Sequence, residues 1–173
     1  KLSFLVIVLF FSIKGFASYI LIPMDAESQA EHLKAYGITY WVLEKQVKAK
    51  WLLNYRGGSF LLPDAEEIRK ECQIRGVSFE VISDAQTNQI LEDISSPSQN
   101  MEAVVLEKAP RIAVYSPKGN QPWDDAVTMV LTYAEIPYTV VYDEEVLSDQ
   151  LLLYDWLHLH HEDFTGQYGK FYR

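Results

Sequence analysis

From Tyr19 to Tyr142 the chain alternates short apolar runs of strand length with longer stretches of helical period, and turn residues mark most of the transitions. Tyr19-Ile-Leu-Ile22 is a β-branched run that stops at Pro23-Met24-Asp25. Behind it, Ala30, Leu33, Ile38, Trp41 and Val42 recur at spacings of three, four and five, which predicts a helix against which Gly37 counts mildly. Residues 47–53 predict a second strand, Asn54-Tyr-Arg-Gly-Gly-Ser59 a loop, and residues 64–75 a helix. That helix has acidic residues in its first turn, Ile68 and Cys72 on one face, and Gly76 just past its end. Residues 77–82 read as the third strand, with Asp84 at the N-cap of a helix reaching about Ile94.

Ser95-Ser-Pro-Ser-Gln-Asn100 is polar and holds a proline, so residues 95–110 read as a linker between a first half, 18–94, and a second, 111–173. The alternation then restarts. Arg111-Ile-Ala-Val-Tyr115 predicts a strand, residues 116–123 a loop and 124–135 a helix with Ala126, Val127, Val130, Leu131 and Ala134 as its apolar stripe. Pro137 ends that helix, Tyr138-Thr-Val-Val-Tyr142 is a strand followed by Asp143, and Trp156-Leu-His-Leu-His160 is a buried sixth strand. Strands alternating with helices in this way predict an α/β fold with a three-layer, mostly parallel, doubly wound sheet. In such a sheet ligands bind beyond the carboxyl ends of the strands.

Composition and charge narrow the partners. With 49% hydrophobic residues the chain can bury a core, and a formal charge of -9 repels nucleic-acid backbones, which excludes nucleic acid as the expected partner. The single cysteine, Cys72, excludes an intrachain disulfide and reads as a small buried residue. Lys1 precedes an apolar run of about a dozen residues, Leu2 to Ile13, too short to span a bilayer, and Gly15-Phe16-Ala17 follows it. Residues 1–17 are therefore expected to be a signal peptide cleaved after Ala17, leaving an exported, periplasmic protein with no stable membrane anchor. Lacking an initiator Met and stopping at Phe171-Tyr-Arg173, the chain reads as a piece of a longer protein.

Three segments carry candidate chemistry. On the sixth strand a period of two puts His158 and His160 on one face, and His161, Glu162 and Asp163 follow. Together these residues are a candidate divalent-metal set, to which Asp25, Asp84, Asp124, Asp125 or Asp143 are possible additions. The alternative is a core histidine at 158, rim histidines at 160 and 161, and a helix cap at Glu162-Asp163. In the loop after the second strand, Asn54, Arg56, Gly57, Gly58 and Ser59 form a candidate anion cradle, with a tight turn and a solvated Arg56 as the alternative. The loop holding Trp123 and Asp124 is a third candidate ligand site, for an anion at a helix N-terminus, joined by His160 if the strand ends converge; the alternative, which is favoured, is that Asp124 and Asp125 already complement that dipole. Neither a dinucleotide fingerprint nor a P-loop is present, so no nucleotide cofactor is expected. Four Trp and 11 Tyr fall mostly at expected core positions such as Tyr19, Trp41, Trp51, Tyr115 and Tyr133, which argues against reading them as a sugar-stacking surface.

Residues 111–115, the helix from Asp124, Tyr138-Thr-Val-Val-Tyr142 and Tyr154-Asp-Trp-Leu-His-Leu-His160 resemble the opening of class I glutamine amidotransferase-like domains, which have a flavodoxin-like sheet. Over nearly the whole chain, Asn54-Tyr-Arg-Gly-Gly-Ser-Phe60, Pro122-Trp-Asp-Asp125 and the run from His158 to Gly166 resemble a group of exported bacterial proteins labelled asparagine synthetase B. That label implies a cysteine directly after the initiator Met and a phosphate-binding Ser-Gly-Gly-x-Asp loop, and neither occurs in these residues. The amidotransferase likeness implies instead a nucleophile on a later strand-to-helix turn, beyond Arg173, acting on an amide or ester. Three readings stand: that activity, a metal-dependent hydrolase built on His158 and His160, and a non-catalytic module binding a small molecule or a cell-envelope ligand.

Overall fold

In the computed structural model, which describes residues 18–116 and 126–159, Ile20, Leu21 and Ile22 are all buried, although consecutive side chains of a strand point to opposite faces. Their strand therefore has a core on each side. Ile20 and Ile22 pack with Phe60 and Leu62 beneath the helix residues Ala35, Ile38, Val42, Ile68 and Cys72. Leu21 packs with Leu52, Leu61 and Ile82 against Ile94 on the other face. Each such side chain removed from water contributes about 1.5–3 kcal/mol.

The elements of this part are β1 (Ser18–Ile22), α1 (His32–Glu44), β2 (Ala49–Leu53), β3 (Ser59–Pro63), α2 (Glu66–Arg75), β4 (Glu80–Ser83), α3 (Asp84–Ser95) and β5 (Glu102–Leu106). They build one five-stranded sheet in the order β4-β1-β3-β2-β5, and every neighbouring pair is antiparallel. The mostly parallel sheet expected from the sequence is corrected here. β1 and β2 do run the same way, but β3 lies between them and runs against both: Ile20 pairs with Leu62, and Trp51 with Phe60. The physical cause is the connection between β2 and β3, residues 54–58, which is far shorter than the dozen or so residues a parallel crossover needs. The outcome is a split βαβ arrangement of the ferredoxin-like βαββαβ kind, ordered β4-β1-β3-β2, with β5 added beside β2.

Two strands of this sheet were not expected. β3 is one. The other is β5, inside the stretch read as a linker, where Val104 pairs with Trp51 and Ala103 with Leu52. Gly76 follows α2 with φ 71°, the left-handed cap that its position suggested. The cap of α3 is Ser83, not Asp84. Its hydroxyl accepts from the Gln86 backbone while the Gln86 side chain accepts from the Ser83 backbone, so Asp84 is the first residue of the helix.

The remaining elements form a separate sheet: β6 (Ile112–Tyr115), α4 (Ala126–Tyr133), β7 (Thr139–Val141), α5 (Asp143–Leu147), a 3-10 turn (Gln150–Leu153) and β8 (Trp156–Leu159). Its order is β7-β6-β8 and both pairings are parallel, as expected. Central β6 is buried at Ile112, Ala113 and Val114. β8, expected to be buried, is an edge instead: among the described residues only β6 pairs with it, and Trp156, Leu157 and Leu159 are all exposed.

The sheets meet through α1 and α4. A Cβ on Gly37 would lie 1.8 Å from the Ala134 carbonyl oxygen, so the glycine that counted against the helix is the place where the second unit touches it. Around it Tyr133 Oη donates to Glu31 (2.6 Å), Lys34 Nζ to Glu135 (2.7 Å) and Tyr40 Oη to the Pro110 carbonyl (2.7 Å).

Candidate functional site

The parallel sheet has its carboxyl ends at Tyr115, Val141 and Leu159. At the first, Tyr115 Oη donates to Asp143 Oδ1 at 2.7 Å, and the Tyr115 and Tyr142 rings lie 5.4 Å apart. The next residue, Ser116, is 2% exposed; its backbone N–H donates to the Val141 carbonyl (3.0 Å), and among the described residues its hydroxyl has no hydrogen-bond partner. A buried hydroxyl left in this state costs about 1–3 kcal/mol relative to one that is satisfied. The rim thus combines a Tyr-Asp hydrogen bond, an orphaned buried donor, and half-buried His158 on the neighbouring strand opposite Val114. It can recognise a small polar group.

Among the sequence-derived candidates, His158 stands on β8 with its ring edge-on to Trp156 at 6.4 Å. His160, His161, Glu162 and Asp163 lie outside the described residues, as do Trp123, Asp124 and Asp125. Among the described residues no group of three or more His, Cys, Asp or Glu is placed to hold a metal ion. The proposed extra ligands are dispersed: Asp25 pairs with Arg56, Asp84 opens α3 and Asp143 holds Tyr115.

Asn54 to Ser59 belong to the antiparallel sheet, not to the sheet that carries His158, so the sequence-derived candidates do not share a set of strand ends. Within this loop the polar side chains bond to the chain itself. Arg56 Nε donates to Asp25 (3.1 Å), Nη1 to Glu80 (2.8 Å) and Nη2 to the Ser28 hydroxyl (2.9 Å). Asn54 Nδ2 donates to the Asn100 carbonyl, Trp51 Nε1 to the Gly58 carbonyl, and Ser59 Oγ to the Tyr55 and Arg56 carbonyls. Asn54 (φ 62°) and Arg56 (φ 44°) sit in the left-handed region, strain that these bonds sustain. Gly57 (φ 79°) passes so close to Met24 that a Cβ would lie 2.4 Å from its carbonyl oxygen. An anion reaching Arg56 would have to displace two carboxylates of the chain itself.

Cys72 is fully buried, and burial, reinforced by Glu71, pushes its thiol up to about 11. It is not a nucleophile at neutral pH.

Fold and rim together define a mixed α/β protein with one antiparallel and one parallel sheet, the latter carrying the polar strand ends. Comparison with protein-family models, with curated proteins and with solved structures finds no match to this chain.

Proposed function

We propose that this is an exported α/β protein whose second unit opens a flavodoxin-like domain of the class I glutamine amidotransferase-like kind, and that it binds a small amide or ester at the carboxyl ends of β6 and β8. The observation that carries this reading is the all-parallel order β7-β6-β8. It is the order of the first three strands of a flavodoxin-like sheet, in which the ligand lies between the first strand and the third. Here those strands are β6 and β8, and Ser116 stands at the end of the first with a hydroxyl that has no partner among the described residues. The described residues supply a recognition wall; the nucleophile comes from outside them, since Cys72 is buried and protonated. The resemblance to the exported group labelled asparagine synthetase B supports the same reading of the chain without ATP-dependent synthesis. Export is supported by the apolar run before the small residues of Gly15-Phe16-Ala17.

The test is to offer the full chain, together with any further segment its gene encodes, a panel of small amides and esters and to follow release of ammonia or alcohol. Ser116→Ala is expected to raise KM about tenfold for the preferred substrate, because a hydroxyl satisfied only by ligand is lost. It should leave circular dichroism unchanged and slightly raise the melting temperature of the free protein. An unchanged KM would remove Ser116 from the site. Failure of every amide and ester to bind or turn over would remove the activity and favour the non-catalytic envelope module.

A further inference from the structure

At the opposite end of the parallel sheet, where β6, β7 and β8 begin, the seam between the two units holds a cleft of about 390 Å³. Its walls include Tyr40 and Glu44 of α1, Arg111 before β6, Tyr138 before β7 and Tyr154 before β8. Tyr40 also lines a second hollow, of about 220 Å³, whose other walls are almost wholly apolar: Tyr36, Leu43, Trp51, Phe60, Leu106 and Ile136. A cavity of about 150 Å³ suffices for benzene, so a phenyl ring fits this slot. The Tyr40 phenol is fixed between the two hollows by its hydrogen bond to the Pro110 carbonyl.

The charges at the seam are not equivalent. Arg111 is held by Asp155, through its Nε (3.3 Å) and its backbone N–H (2.8 Å), and Lys108 reaches the same carboxylate (2.7 Å). The Glu44 carboxylate makes no hydrogen bond or ion pair among the described residues; its neighbour Lys45 pairs with Glu67. Burial raises the Tyr40 pKa, and the negative charges of Glu44 and Asp155 raise it further, so the cleft beside this ring disfavours more negative charge. Phenol faces and a free carboxylate attract cations, and the formal charge of -9 on the whole chain adds to that pull.

We propose that this seam is a second binding site, independent of the strand-end reading above, for a small organic amine with an apolar body: the ammonium between Glu44 and the rings of Tyr40, Tyr138 and Tyr154, the body in the slot over Trp51 and Phe60. The geometry spans both units, so an occupant also ties them together.

The probe is phenethylamine, titrated into the full chain and followed by the indole N–H resonance of Trp51, whose Nε1 donates to Gly58 at the wall of the slot. Hydrocinnamate, a similar body with the opposite charge, is the control. The amine is expected to shift that resonance saturably, with binding about fivefold weaker in Glu44→Gln and for hydrocinnamate. Glu44 is exposed, so its replacement leaves the fold intact. Equal binding of the two compounds, unchanged binding in Glu44→Gln, or no Trp51 shift at high amine concentration would overturn the proposal. Ser116→Ala should bind the amine like the native chain; loss of binding there would place the amine at the strand ends and equally overturn it.

Discussion

A glycine inside a helix is ordinarily worse than alanine by about 1 kcal/mol, so Gly37→Ala would stabilise α1 were the helix alone. The Ala134 carbonyl oxygen, 1.8 Å from where the methyl must go, reverses the sign. Backbone cannot swing aside as a long side chain can, so the variant is expected to lose about 1–3 kcal/mol in urea unfolding. A gain in stability would mean that α1 and α4 part without cost. Asp25 offers a test of charge at the same scale. The Ser28 hydroxyl holds its pKa below the usual value, partial burial opposes this, and Arg56 adds to the lowering. A depressed carboxylate contributes stability above its unfolded pKa and loses it as pH falls through the folded one. The stability gap between the native chain and Asp25→Asn should therefore shrink as pH falls below about 5, measured by urea melts at each pH. A gap that held constant would show that the Asp25 charge plays no part.

At the scale of elements, α3 is anchored by the reciprocal Ser83 and Gln86 bonds, and Ser83→Ala is expected to destabilise the protein by about 1 kcal/mol in the same melts. Asp84→Ala should cost less, because Asp84 already lies inside the helix. The sequence pointed to Asp84 as the cap, and only the backbone geometry moves that role one residue back to Ser83. The same limit governed the sheet. Apolar runs at 19–22, 47–53, 77–82 and 111–115 located strands to within a few residues, because burial on a pleat leaves a local mark. Strand direction leaves none of its own, but a trace was there to be read. Phe60-Leu-Leu62 follows β2 after a Gly-Gly loop, and two apolar runs joined that closely signal a hairpin. At the candidate site, Tyr115, Ser116 and Asp143 were each visible as strand-end residues. The Tyr115-Asp143 bond and the stranded Ser116 hydroxyl depend on how neighbouring strands align, which no spacing along the chain encodes.

For the molecule as a whole, what counts is contact between residues far apart in sequence. Tyr133 reaches Glu31 across 102 positions, and the seam cleft draws on α1 and on the starts of three later strands, so neither was legible as a pattern. The second unit also leaves apolar side chains in water: Leu147 and Leu152, between β7 and β8, are 85% and 83% exposed. Replacing both with lysine should leave thermal stability unchanged and reduce any self-association in sedimentation, since both side chains are largely exposed and exposed apolar surface favours contact between copies. If association persists, the responsible surface lies elsewhere. The place of β1 in the antiparallel sheet has a consequence for how the chain is made. Among the described strands β1 is synthesised before its neighbours, β3 and β4, and Tyr19 must wait for Pro63 and Ile82 before it is paired. At about 5–20 residues per second, that leaves Ile20, Leu21 and Ile22 bare for seconds as the nascent polypeptide emerges. Throughout that interval the strand is an open template for any passing edge, so a holdase that occupies it until β3 arrives would raise the yield of correctly folded product more than one acting on any later strand.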